Sequence, residues 1–179
     1  MRELLAAHFA AFPAQNRVAR LLLEHGLAVR DDGVWCGRIA VSDTAIARAA
    51  NVDRRVVGAT VATIEKDPAL QRVFGRLLPT ALLTEAAPGL GWGVIEIVPD
   101  DAARPGILAA VATAIADAGV SIRQAIVQDP EFSEEPRLYI ITESPLPVEI
   151  LPRIQEATGV RSVVLPHANE AARPAPPRG

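Results

Sequence analysis

Trp92-Gly93-Val94-Ile95-Glu96-Ile97-Val98 reads as a strand, Pro99-Asp100-Asp101-Ala102-Ala103-Arg104 as an acidic loop, and Pro105-Gly106-Ile107-Leu108 as the opening of a helix. Proline is pre-set for a first helical turn, and glycine lets backbone N–H groups be approached closely. A strand whose loop presents a helix N-terminus is a place to hold a small carboxylate. In the functional reading, Asp101 or Asp100 holds a ligand amino group while the N–H groups of Gly106 and Ile107 take its carboxylate. In the plainer one, the two aspartates cap the helix and face solvent. A third reading is a unit that binds nothing and only dimerises.

Working outward, the pattern continues as helix 105–118, strand 120–128, strand 137–142, helix 147–157 and strand 160–165. Ile107, Leu108, Val111 and Ile115 form one stripe, and Gly119 ends that helix. Residues 129–136 are a polar, acidic connection. The β-α-β-β-α-β order is the ferredoxin-like arrangement. One sheet face is left without helices, with Val94 and Val98 opposite Ile95 and Ile97. An uncovered sheet with free edges calls for a partner, so a homodimer is expected. Residues 167–179, rich in Pro and Ala, are expected to be disordered.

The first eighty residues read differently. A helical prefix spans 2–11, and Pro13 opens an amphipathic helix carrying Val18, Leu21, Leu22 and His25, with Gly26 as its stop. Ala28 to Val41 alternates around Asp32-Gly33 as a small hairpin. Ser42 caps a second helix to Ala50, Asn51-Val52 turns the chain, and Asp53 caps a third helix to Lys66. Asp67-Pro68 precedes a further helix over 69–78. Pro79 to Gly91 is punctuated by Pro88, Gly89 and Gly91, which places a linker at 81–91. The fold expected is α+β, with domains at 1–80 and 92–166.

Asp43 to Thr60 fits a helix-turn-helix. Ile46 and Ala47 lie inside the first helix, Ala47 being small where helices meet, and Val57 packs back from the second. Asn51 supplies the left-handed turn that glycine usually takes. This geometry puts Arg54 and Arg55 at the start of a recognition helix, towards base edges. Arg48 and Arg38 are placed to meet phosphates. The competing reading is an ordinary helical pair with surface arginines. Gly58 weakens the helix by about 1 kcal/mol relative to alanine, or allows a close approach.

Charge divides the same way. Residues 1–80 hold eleven Arg/Lys against eight Asp/Glu, and residues 81–179 hold seven against thirteen. A basic half joined to an acidic half suggests modules with different partners. The single Cys36 excludes an internal disulfide and suits a reducing cytosol. It sits on the hairpin with no nearby histidine and reads as a half-buried hydrophobe. The start Met1-Arg-Glu-Leu-Leu5 lacks a long apolar run, so neither a signal peptide nor a membrane span is expected, and a cytoplasmic location is. His8, His25 and His167 are scattered without metal-ligand spacing. Gly89-Leu90-Gly91-Trp92-Gly93 precedes a strand, where a dinucleotide loop must follow one. No nucleophile arrangement is present, so neither catalysis nor a cofactor is expected.

Strand 92–98, Arg104-Pro105-Gly106-Ile107-Leu108, Ala118-Gly119 and Val120-Ser121-Ile122 together resemble the ACT domain, an amino-acid-sensing regulatory module. The usual pattern has an acidic residue shortly before Pro-Gly, and this chain departs from it by inserting Ala102-Ala103-Arg104. With its N-terminal helices the whole chain is similar to archaeal predicted regulators of amino-acid metabolism. Here Gly93–Ile97, Ser121-Ile122-Arg123-Gln124 and Val52-Asp53-Arg54-Arg55-Val56 carry the likeness. The resemblance implies a dimer with an amino acid at its interface. It implies Asp101, Arg104, Gly106, Ile107 and Leu108 as ligand contacts, with Val120, Ser121 and Ile122 as a facing strand from the same chain or the partner. Arg123 and Gln124 lie just beyond. The function implied is an amino-acid-responsive transcription regulator. The alternative is a regulatory subunit that senses an amino acid and docks on a metabolic enzyme.

Overall fold

The computed structural model describes residues 1–31, 33–131, 133 and 135–166, apart from the side chain of Arg2. The hairpin residue Asp32 and the tail 167–179, read above as disordered, lie outside the described residues. The chain is α+β, with two antiparallel sheets in two compact units, the first spanning Met1–Ala81 and the second starting at Leu82.

The first unit runs α1 (Arg2–Phe9), α2 (Pro13–Glu24), β1 (Ala28–Arg30), β2 (Gly33–Cys36), β3 (Ile39–Val41), α3 (Asp43–Ala50), α4 (Arg54–Lys66) and α5 (Pro68–Phe74). Each helix start has a local cause. Pro13 and Pro68 sit in first turns, the Ser42 hydroxyl accepts the Ala45 N–H, and the Asp53 carboxylate accepts the Arg55 N–H at 2.8 Å. Each such cap stabilises its helix by about 1 kcal/mol. Gly26 ends the α2 region in the left-handed conformation. The expected two-stranded hairpin is instead a three-stranded meander, β1-β2-β3, because Gly37 makes a second turn at φ +61°. Phe9, Val18, Leu22, Val29, Ile46, Val57, Ile64, Leu70 and Phe74 fill the core.

His8 tethers α1 to the start of α5. Its Nδ1 lies 2.9 Å from the Leu4 carbonyl oxygen and its Nε2 3.1 Å from Asp67 Oδ2. Both partners only accept, so the ring satisfies both when it is protonated. The Leu4 carbonyl first, and then Asp67, raise the His8 pKa above its ordinary 6.5. The Leu70 N–H first, helped by His8 and Ala69, lowers that of Asp67. Stabilisation from His8 is therefore complete below about pH 6.5 and is lost as pH rises through the higher folded value. That from Asp67 is complete above about pH 3.9 and is lost as pH falls through its lower folded value. The stability gap between wild type and His8→Gln should shrink as urea melts move from about pH 6 to about pH 9. A constant gap would reject the protonated tether.

The second unit has β4 (Gly93–Pro99), α6 (Ile107–Asp117), β5 (Ile122–Val127), β6 (Leu138–Thr142), α7 (Leu151–Gln155) and β7 (Val160–Val164). All neighbours are antiparallel, in the order β5-β6-β4-β7, so β5 and β7 are edges. Ile95, Ile97, Leu138 and Ile140 face a common core with Ile107, Val111 and Ile115 of α6 and Ile154 of α7. Both helices thus lie on one face. Among the boundaries that differ from expectation, β5 starts at Ile122 rather than at 120. Helix 105–118 starts at Ile107, because Gly106 takes φ +96° and becomes the cap residue. Helix 147–157 is a single 3-10 turn over Val148–Ile150 followed by the short α7.

Residues 82–91, read as linker, are built into this unit. The Leu83 N–H donates to Gln124 Oε1 at 3.1 Å, and Thr84 and Ala87 are buried. The Arg123 guanidinium stacks 4.3 Å over the Trp92 ring. Gln124 pairs across the strands with Ile141, on the face opposite the helices. That face, expected to be bare, therefore carries a polar anchor for its own chain, and Ile141 is fully buried. The missed signal was Gln124, a polar residue whose partner lies 41 positions away.

Candidate functional site

In the second unit, the loop after β4 and the start of α6 wall a cavity of about 130 Å³. From this side come Pro99, Ala102, Arg104, Gly106, Ile107 and Leu108. From the neighbouring strand ends come Val127, Gln128, Pro136, Arg137 and Leu138. The topology explains the meeting: Ile97 pairs with Leu138, and Leu138 with Val127, so all three strand ends stop at one edge.

Within the loop, Asp101 Oδ1 accepts the Ala103 N–H at 2.9 Å and the Asp101 carbonyl accepts the Arg104 N–H at 3.1 Å. The aspartate thus folds its own turn, and it is exposed outside the cavity wall. Ala102-Ala103-Arg104 forms that turn, and Arg104 lines the cavity. On the far side, Gly159 at φ +90° packs so closely that a Cβ there would stand 2.8 Å from Ile107 Cγ1 and 3.2 Å from Arg104 Cδ. Glycine at 159 is what lets the loop and helix start settle where they do.

Two guanidinium groups line the cavity in different states. Arg137 donates to the Glu96 carboxylate, lies 3.6 Å from Glu135, and is held more firmly protonated by them. Arg104 makes no ion pair among the described residues and is exposed. The first turn of α6 has no side-chain cap at Gly106, whereas Ser42, Asp53 and Asp67 cap α3, α4 and α5. Free amides at a helix start and an unpaired arginine favour an anion at this rim. The rest of the wall is largely aliphatic.

Four of the eight ligand residues expected from sequence, Arg104, Gly106, Ile107 and Leu108, are therefore brought together. Asp101 is adjacent and committed to its turn. Val120, Ser121 and Ile122 are at the opposite end of the sheet, where Ile122 pairs with Thr142 and Thr142 with Gly93. There the Ser121 N–H donates to Glu143 at 3.2 Å. Sequence reasoning missed Val127, Gln128, Pro136, Arg137 and Leu138. Only the strand order puts them beside the loop.

In the first unit, α3 and α4 meet through buried Ile46, Ala47, Ala50 and Val57, with Asn51 left-handed at φ 50° and the Val52 N–H on the Ala47 carbonyl at 2.9 Å. Arg54 and Arg55 open α4 and are exposed. Gly58, Ala59, Ala62 and Lys66 continue the same exposed side, and nothing in the chain comes within 4 Å of where a Gly58 Cβ would be. Arg48 is exposed on the last turn of α3, while Arg38 is exposed in the turn between β2 and β3. A further cation, Arg17, reaches the turn, its Nη2 being 3.5 Å from the Asn51 carbonyl oxygen.

Among the described residues no group of three or more His, Cys, Asp or Glu is arranged to hold a metal, and no helix is long and apolar enough to cross a membrane. No family model and no curated protein matches the chain.

Proposed function

We propose that the chain is an effector-responsive, DNA-binding regulator, with an ACT-type sensing unit and a helix-turn-helix head, acting as a homodimer. The observation that carries the reading is the cavity at the start of α6, whose wall includes Arg104, Gly106, Ile107 and Leu108. The β5-β6-β4-β7 order with both helices on one face supports a ferredoxin-like sensing unit. The effector class implied by the resemblance is an amino acid, and the cavity supports its carboxylate end.

The β5 edge offers a route to the dimer. Two copies joined antiparallel along β5 would set the partner's Ile122 beside Val127, at the cavity mouth. Val120, Ser121 and Ile122, distant within one chain, would then complete the site from the partner. Ligand binding would alter the spacing of two heads that must meet half-sites about 34 Å apart. A coupling of about 1–3 kcal/mol is enough to switch affinity.

DNA binding is tested by anisotropy titrations against random-sequence duplex at stepped salt. Wild type should bind with log Kd rising linearly with log salt, the signature of released counterions. Arg54→Ala/Arg55→Ala should weaken binding by about tenfold or more and lower the salt slope by about two, because two cations facing the duplex are lost. Retention of duplex by the double variant would reject α4 as the reading helix. Failure of wild type to bind duplex would favour the enzyme-docking alternative.

A further inference from the structure

A third helix is tied to the turn between α3 and α4. It is α2, which packs against both of them. Val18, Ala19 and Leu22 are its buried side, and Arg17 and Arg20 are exposed. Two polar contacts fix its first half to the pair. The Thr63 hydroxyl of α4 donates to Gln15 Oε1 at 3.3 Å, and Arg17 Nη2 lies 3.5 Å from the Asn51 carbonyl oxygen. Arg17 is 34 residues from Asn51, so only the fold brings this cation to the turn.

Among the described residues Arg17, Arg48, Arg54 and Arg55 make no ion pair, and all four are exposed. Two acids lie between residues 42 and 60. Asp53 commits its carboxylate to the Arg55 N–H, and Asp43 sits at the opposite end of α3 from Arg48. Arg137 and Arg153 of the second unit, by contrast, are each bound to a carboxylate. Exposed, unpaired cations drawn from three helices form a surface that suits a polyanion. Arg54 and Arg55 open the helix placed to enter a groove, whereas Arg17 stands on a helix outside the motif, at its turn. A cation there meets the strand's backbone rather than a base edge. We infer that Arg17 is a phosphate anchor of the DNA-binding face, which makes α2 a third element of that face. The Asn51 carbonyl holds the guanidinium at the turn, and the remaining N–H groups take a backbone phosphate of the duplex. Arg17 thereby sets how the head sits on DNA and reads no sequence. The inference rests on the DNA-binding reading above and extends it beyond the two helices of the motif.

Anisotropy titrations of the full chain with random-sequence duplex at stepped salt test it. Arg17→Gln should give a slope of log Kd against log salt shallower than wild type by about 0.9, the counterions of one phosphate. Between about 50 and 200 mM salt it should then lose about 3.5-fold less affinity than wild type does. Its weakening at low salt should be the same factor on an A·T-rich and a G·C-rich duplex, because a phosphate contact carries no base information. Arg17→Lys should keep the wild-type slope, since a phosphate accepts either cation. A wild-type slope in Arg17→Gln would overturn this inference and leave DNA binding by α4 standing. So would a slope in Arg17→Lys as shallow as that in Arg17→Gln. Failure of wild type to bind duplex would overturn the two together. A dicarbonyl reagent that labels arginine, read by mass spectrometry on the wild-type chain, needs no variant to fold. Duplex should protect Arg17 from it, and equal labelling with and without duplex would overturn the inference.

Discussion

Gly26→Ala should destabilise the N-terminal unit by about 3 kcal/mol or more, from two independent causes. Residue 26 holds φ +62°, a conformation that costs an L-residue with a Cβ roughly 1–2 kcal/mol. The new Cβ would also stand 2.4 Å from the Leu78 carbonyl oxygen and 2.9 Å from Pro79 Cα. These are backbone atoms and cannot rotate away, so the segment after α5 must shift. A unit of this size has a total stability of only about 4–12 kcal/mol, so the loss is a large fraction of it. Urea melts followed by far-UV dichroism measure the change. Gly58→Ala is the matched control: its Cβ meets nothing, it lies inside a helix, and it should stabilise by about 0.5–1 kcal/mol. Equal effects from the two substitutions would mean that backbone geometry at Gly26 is not limiting.

Phe74→Ala should cost about 3–5 kcal/mol. Phe74 ends α5 with its side chain fully buried in the same core as Phe9, Leu22, Ile64 and Leu70. Truncation removes the apolar transfer energy and leaves a void that α-helical neighbours fill only in part. At about 4–8 °C per kcal/mol for a domain of this size, the thermal midpoint should fall by more than about 12 °C. Phe12, which is 54% exposed, is the contrast, and its alanine variant should stay within about 0.5 kcal/mol of wild type. A small loss at Phe74 would show that the first unit has another centre of packing.

Much of the fold was legible because its signals are local. Ser42 and Asp53 announce their helices through a side-chain oxygen two or three residues from the amide it receives. Gly26 and Gly119 end theirs through a backbone conformation other residues avoid. The β-α-β-β-α-β order followed from apolar periods alone. What was not legible depends on partners distant in sequence. Gly37 looked like strand interior until its left-handed turn made a third strand. Gly106 looked like helix because Pro105 imitates a first turn, yet its φ makes it the cap and sets the start at Ile107. The 82–91 segment looked like a linker because its anchor, Gln124, lies across the sheet. For the cavity, the loop half was readable from the strand-loop-helix pattern. The half contributed by Val127, Gln128 and Arg137 was not, since only strand register brings those residues there. Asp101 carries the sharpest lesson: an acid before Pro-Gly invites a ligand role, yet the Ala103 and Arg104 N–H groups make it the anchor of its own turn.

The two tryptophans of the chain fall one to each unit, and each sits under a guanidinium. Arg30 lies 5.5 Å from the Trp35 ring, whose Nε1 donates to the Arg30 carbonyl oxygen at 3.0 Å, and Arg123 covers Trp92. In optical terms the molecule carries two separate channels of intrinsic emission. Trp35 reports the meander of the first unit. Trp92 reports the strand and anchored segment of the second, at the end of the sheet that bears Val120 to Ile122. Replacing either indole with phenylalanine leaves the other as an unambiguous lamp, so the melting of each unit becomes visible separately without an added dye.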